Sequence, residues 1–122
     1  MPRPVHFEIN CDDPERAAKF FTDVFGWEIK KWEGPVEYWL VMTGDPKIPG
    51  IDGGLMKREA PGAAVYNTID VPSVDEYVKK IAAAGGTIAV PKMAIPGVGW
   101  FAYFKDTEGN IHGIMENDPK AK

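Results

Sequence analysis

The sequence predicts an α+β fold made of two copies of one βαβββ module. The first observation is a repeat. Ile9-Asn10, Glu15, Lys19, Phe21 and Gly26 recur as Ile69-Asp70, Asp75, Lys79, Ile81 and Gly86, each sixty positions on. A period of that size in a 122-residue chain marks two supersecondary units. The second observation is the order within each half: one alternating strand, one capped helix, then three short β-prone runs. The third is a single good linker, Glu59-Ala60-Pro61-Gly62, which falls between the halves. The modules therefore span about 1–58 and 63–117, with 59–62 joining them inside one domain, 1–122. Neither module holds enough core to stand alone, so the two either pack together or exchange with a second chain.

Each element has a local cause. Residues 4–11 alternate and are rich in β-formers. Asp12-Asp13-Pro14 opens a helix with an aspartate cap, a proline in the first turn and Glu15 near the positive dipole end. Ala17, Phe20, Phe21 and Val24 give it one apolar face, and Gly26 stops it. Strands follow near 27–33, 36–43 and 51–58, separated by Gly34-Pro35 and by the loop 44–50. In the second half, 63–71 is a strand. Ser73 caps a helix, with Glu76 completing a capping box, and Gly85-Gly86 ends it. Val74, Tyr77, Val78, Ile81 and Ala82 form its buried face. The last strands lie near 87–94, 98–105 and 110–116, with Asp106–Asn110 as a hairpin turn.

Hydrophobic residues make up 44% of the chain and charged residues 26%, an ordinary globular balance. The net charge of −4, without a basic block, argues against nucleic acid and against an anionic membrane surface. No apolar run is long enough to span a bilayer and no signal peptide is visible, so cytoplasmic residence is expected. The single cysteine, Cys11, excludes an internal disulfide and reads as a small buried hydrophobe.

The stretches VHFEINCDDPERAAKFFTDVFGW, TIDVPSVDEYVKKIAAAGG and FKDTEGNIHGI together cover most of the chain. With the module order, they resemble the vicinal oxygen chelate superfamily of glyoxalases, bleomycin resistance proteins and extradiol dioxygenases. That resemblance implies strands curled around a U-shaped mixed-sheet cavity, helices outside, and a homodimer. In metal-using members, ligands (His, Glu or Gln) come from the first and last strand of each module. Those four places fall here at His6, Tyr66, near Gly54, and at Gly113. Glycine offers no side-chain donor, and a phenol with an ordinary pKa of about 10 is a poor ligand for a divalent ion at neutral pH. The metal site reads as degenerate, so no metal or other cofactor is expected. Gly54 and Gly113 instead leave room for a ligand or for a close backbone approach.

Strand alternation, anchored on His6, assigns His6, Glu8 and Asn10 from one module and Tyr66, Thr68 and Asp70 from the other to the cavity face. The opposite parity (Val5, Phe7, Ile9; Val65, Ile69, Val71) is apolar and suits packing beneath the helices, with Asn67 the misfit. His112 then points to the helix side. Tyr38, Trp39, Met56, Phe101, Trp100 and Tyr103 lie on strands able to line the same cleft, and Trp100 and Tyr103 are taken as lining residues. Alternation separates Trp100 from Phe101 and Tyr103, and the hairpin register leaves open which set faces inward. Core packing or a dimer contact is the competing role for such aromatics.

A cleft with aromatic walls and a few polar groups suits a small organic molecule. The expected function is therefore a metal-independent glyoxalase-like protein binding such a ligand. The alternative is a metal-free lyase or isomerase in which His6, steered by Glu8, acts as acid or base. A divalent-metal glyoxalase or dioxygenase is the third reading, disfavoured by the missing ligands.

Overall fold

The computed structural model describes residues 2–122 and contains both modules in the expected order. The elements are β1 (Arg3–Cys11), α1 (Pro14–Phe25), β2 (Glu28–Lys31), β3 (Trp39–Met42), β4 (Asp52–Lys57), β5 (Val65–Asp70), α2 (Val74–Ala83), β6 (Thr87–Ile95), β7 (Gly99–Lys105) and β8 (Ile111–Asn117). The chain divides into two compact units, His6–Tyr66 and Asn67–Lys122, with residues 2–5 belonging to the second. The divide falls inside β5.

In the first unit the strands run in the order β2-β3-β4-β1. β1 lies parallel to β4, setting Glu8 beside Gly54 and His6 beside Asp52, while β2–β3 and β3–β4 are antiparallel. A parallel pair needs a crossover, and α1 with the two intervening strands provides it. Asp13 Oδ1 accepts the Arg16 N–H at 3.1 Å, Pro14 takes the first turn, and Gly26 closes the helix in the left-handed region at φ 72°. The apolar face of α1 is only partly used. Phe21 stacks on Trp27 at 5.0 Å, and Trp27 reaches Phe7 on β1 at 5.8 Å. Phe20, Val24 and Phe25 stay 55–60% exposed, and no residue of α1 is buried. The core of this unit is Val41, Leu55 and Cys11.

The connection to β5 is fastened rather than loose. The Arg58 N–H donates to the Cys11 carbonyl at 2.8 Å. The Arg58 guanidinium bonds Asp12 at 3.1 Å and also donates to the Ala63 carbonyl. Asn10 donates both its backbone N–H and its side-chain amide to the Ala64 carbonyl, each at 2.9 Å.

In the second unit the order is β5-β8-β7-β6, with β5 parallel to β8 and the other pairs antiparallel. Val71, Val74, Ala102 and Ile114 form its core, and Ile69, Tyr77, Val78, Ile81, Trp100 and Phe104 pack against them. Ser73 Oγ caps α2 by accepting the Glu76 N–H at 3.2 Å. Glu76 does not return the bond as a capping box would: its carboxylate pairs with Lys80 one turn on, at 3.2 Å. The Val74 N–H, free at the helix start, is met instead by Glu116 Oε1 from β8 at 3.0 Å, a carboxylate at the positive dipole end. The hairpin 106–110 is held by Asp106, which accepts the N–H groups of Glu108 and Asn110 at 2.9 and 3.0 Å. Asp106 Oδ2 meets His112 Nε2 at 2.9 Å, and Phe104 stacks on that imidazole at 5.2 Å. His112 thus lies on the helix-packed side, as alternation implied.

Candidate functional site

In the first unit, His6 and Glu8 share a face of β1 and meet a third residue, Tyr38, just before β3. Register brings it there. Leu40 pairs with Gly54, so Tyr38, two residues earlier, is on the same face and reaches diagonally across the missing side chain of Gly54. A Cβ on Gly54 would collide with Tyr38 Cζ and its phenolic oxygen. Trp32 braces the ring from outside in an edge contact at 6.3 Å.

The Tyr38 hydroxyl lies 2.7 Å from His6 Nε2 and 3.4 Å from Glu8 Oε2. The first distance is that of a good hydrogen bond and the second is long, so the His6–Tyr38 pair dominates. Glu8 is 7% exposed. Burial, then the charge and hydrogen bond of Glu8, push the Tyr38 phenol far above its usual range, so it stays neutral. Burial lowers the His6 pKa, with the Asp52 carboxylate opposing in part, so the imidazole is neutral at pH 7. When Tyr38 donates to Glu8, its oxygen accepts from His6 Nε2–H. His6 Nδ1 then carries the lone pair. Glu8 therefore acts on His6 through Tyr38.

Asn10, 9% exposed, commits its amide to the Ala64 carbonyl and so ties β1 to the segment that leads into β5. Tyr66 is half-buried at the end of this unit.

In the second unit, Thr68 pairs with Gly113 across β5–β8, and Tyr103 pairs with Gly113 across β7–β8. Phe101 packs edge-on against Tyr103 at 4.8 Å. A Cβ on Gly113 would stand 2.5 Å from Phe101 Cζ and 3.2 Å from Thr68 Oγ1. The Thr68 hydroxyl is fully buried and has no hydrogen-bond partner. Asp70 accepts from Asn117 at 3.5 Å.

Trp100 is on the other face. It packs on the α2 core, donates its indole N–H to Asp118 at 3.1 Å and lies under the Lys92 ammonium at 4.5 Å. The register separates it from Tyr103: successive residues of β7 face opposite ways, and Phe101 and Tyr103 occupy the Gly113 side. Tyr38, offered by the sequence only as one of several aromatics able to line the cleft, is the residue that the register brings to His6 and Glu8. Its signal was positional, two residues before the partner of a glycine already singled out.

The space above Gly54 and Gly113, read from the sequence as room for a ligand or for a close backbone approach, is taken by the rings of Tyr38 and Phe101. The donor set does not fit the family's metal chemistry. Among the described residues no group of three or more His, Cys, Asp or Glu converges. Of the four mapped places, His6 alone carries a suitable donor, and its Nε2 is engaged by Tyr38.

A family model described as Glyoxalase/Bleomycin resistance protein/Dioxygenase superfamily matches residues 3–112. A glyoxylase-like domain-containing protein of Didymella fabae is 31% identical over 118 residues, covering 93% of this chain and 92% of its own. A Mycobacterium bovis protein provisionally termed glyoxylase CFP32 is 30% identical over 119 residues, and the chain spans only 43% of its length. Among solved structures, the hypothetical protein BH1468 of Bacillus halodurans superposes with a TM-score of 0.74 at 14% identity, over 99% of this chain and 98% of that one. A methylmalonyl-CoA epimerase of Mycobacterium tuberculosis gives 0.71 at 12% identity, over 95% and 88%. At such identities the structural likeness speaks for the fold.

Proposed function

This chain belongs to the glyoxalase/bleomycin resistance protein/dioxygenase superfamily, and from that premise we propose that it is a metal-independent member that binds a small, uncharged, partly aromatic organic molecule. The observation that carries the reading is the 2.7 Å bond between His6 and Tyr38. The one ligand-type side chain at a metal position is committed inside the chain. His6 Nδ1 and the Tyr38 phenol offer polar anchoring for such a ligand.

The ligand's charge follows from the surroundings. The charged groups acting on His6 and Tyr38 are Asp52 and Glu8, both acidic. A carboxylate or acyl-CoA would meet repulsion at this end, so the substrate named for the epimerases, methylmalonyl-CoA, does not transfer. A homodimer in the cytoplasm completes the proposal. The exposed Phe20, Val24 and Phe25 of α1 supply apolar surface for a second copy, and no helix among the described residues is long and apolar enough to cross a membrane.

The test is paired. Elemental analysis of protein purified without chelator is expected to find no stoichiometric divalent ion. A screen of neutral aromatics, followed by tryptophan fluorescence, is expected to give saturable quenching without turnover. A stoichiometric ion that is lost with His6→Ala would refute the reading.

A second reading, metal-free acid–base catalysis by His6, is favoured by one feature. The Glu8–Tyr38–His6 chain fixes a tautomer that presents Nδ1 as a base, with Tyr38 as the positioning residue. Product formation by the wild type, abolished by His6→Ala and reduced by Tyr38→Phe with a shifted pH profile, would move the protein to that class.

A further inference from the structure

One packing device occurs in both units. In the first, Gly54 pairs with Leu40, and the ring two residues before Leu40 lies over the glycine. In the second, Gly113 pairs with Tyr103, and the ring two residues before Tyr103 does the same. The neighbours on the first strands also correspond: Glu8 stands beside Gly54 and Thr68 beside Gly113, sixty positions apart in the repeat. Each module thus sets an aromatic ring, Tyr38 or Phe101, where a side chain from its last strand would otherwise project. The two rings differ in one atom. The phenol of Tyr38 is hydrogen-bonded to His6 and reaches toward Glu8, whereas Phe101 has no such group and leaves Thr68 Oγ1 unpaired.

The geometry points to Tyr38 as a built-in occupant of the corner formed by His6, Glu8 and Gly54. It fills the volume over Gly54 and takes up His6 Nε2, closing that corner to a divalent cation and to any ligating side chain at position 54. Phe101 is its apolar counterpart over Gly113. The inference rests on the metal-independent reading above and names the residue that enforces it. Two separate requirements of a cation are blocked by one side chain. The imidazole nitrogen that faces this corner, Nε2, is already bonded, and a donor on the adjacent strand has no room. A neutral phenol is also a weak ligand, so it does not substitute for what it displaces.

The experiment uses the full chain and cobalt(II) alone, followed by visible absorption and by the NMR signals of His6. The proteins are wild type, Gly54→Glu, Tyr38→Ala, the double variant Tyr38→Ala/Gly54→Glu, and that double variant with His6→Ala. Gly54→Glu is expected to lower the melting temperature much more in the wild-type background than in the Tyr38→Ala background. The double variant is expected to bind cobalt at least tenfold more tightly than wild type and to lose that gain with His6→Ala. Should the double variant fail to fold, the same background dependence is read from Gly54→Ala, whose Cβ meets the same ring. Equal tolerance at position 54 in both backgrounds, or a folded double variant with no gain in cobalt affinity, would overturn the role of Tyr38 alone. Tight cobalt binding by the wild type through His6 would instead overturn the metal-independent reading itself.

Discussion

Replacing Thr68 by valine removes a buried group that nothing in the fold satisfies, and the structure sets both sign and size. Thr68 Oγ1 is buried without a partner, and the residue has no exposed surface. An unpaired buried hydroxyl costs about 1–3 kcal/mol relative to its hydrated state in the unfolded chain. A methyl in its place regains about 0.8 kcal/mol of apolar burial. Fitting the larger methyl into a fully buried position offsets part of this. The net expectation is a gain of about 1–2 kcal/mol, or roughly 3–10 °C in Tm for a chain of this length. Calorimetry and urea unfolding measure it, with the urea slope unchanged if the effect lies in the folded state. The internal repeat sharpens the test. Phe101→Tyr places a hydroxyl where Tyr38 has one, giving Thr68 a partner and about 1 kcal/mol of stability. In that background Thr68→Val becomes destabilising. A Thr68→Val variant that melts lower than wild type, or one whose effect keeps its sign beside Phe101→Tyr, would refute the reasoning.

Other consequences can be checked alongside it. Tyr38→Phe breaks the bond to His6 and is expected to cost about 1–2 kcal/mol in urea unfolding, with a changed His6 ring signal in NMR. The folded-state pKa of His6 is depressed by burial, so below the ordinary imidazole value the unfolded chain binds the proton more readily. Stability is expected to fall as pH drops from about 6.5 and to level off once folded His6 is protonated, and His6→Gln should flatten that window. Asp106 is held down to about 2, chiefly by His112 and then by the Asn110 N–H. Its contribution is intact above the usual carboxylate range and is lost as pH falls toward 2, a loss that Asp106→Asn should remove from acid-unfolding curves. Gly26→Ala must place a side chain at φ 72° and is expected to lower stability by about 1 kcal/mol in thermal melts.

Much of the fold was legible because its signals are local. Asp13, Pro14 and Gly26 bracket α1 through backbone chemistry that needs no distant partner, and Ser73 does the same for α2. The repeat then supplied the order of elements. What was not legible depends on partners far along the chain. Glu76 reads as half of a capping box, yet Lys80 and Glu116 decide what becomes of it and of the helix start. The face of Trp100 depends on the β7–β8 register, which places Phe101 against Met115 and Tyr103 against Gly113. The site was half visible. His6 and Glu8 follow from alternation on one strand, but Tyr38 joins them only through the β3–β4 pairing. Phe20 and Val24 mark the opposite failure: periodicity finds an apolar face, but burial is settled by what packs there.

The strapping of Arg58 and Asn10 onto Ala63 and Ala64 changes how the short bridge between them should be regarded. Its two ends are clamped by groups outside it, so the four residues 59–62 form a closed bow with fixed feet. Extra chain spliced in there would balloon outward without displacing either foot, at a loop-closure penalty of only about 0.6 kcal/mol for each doubling of length. That makes the bow a suitable place to graft an epitope tag or a fluorophore while both neighbouring strands keep their pairing.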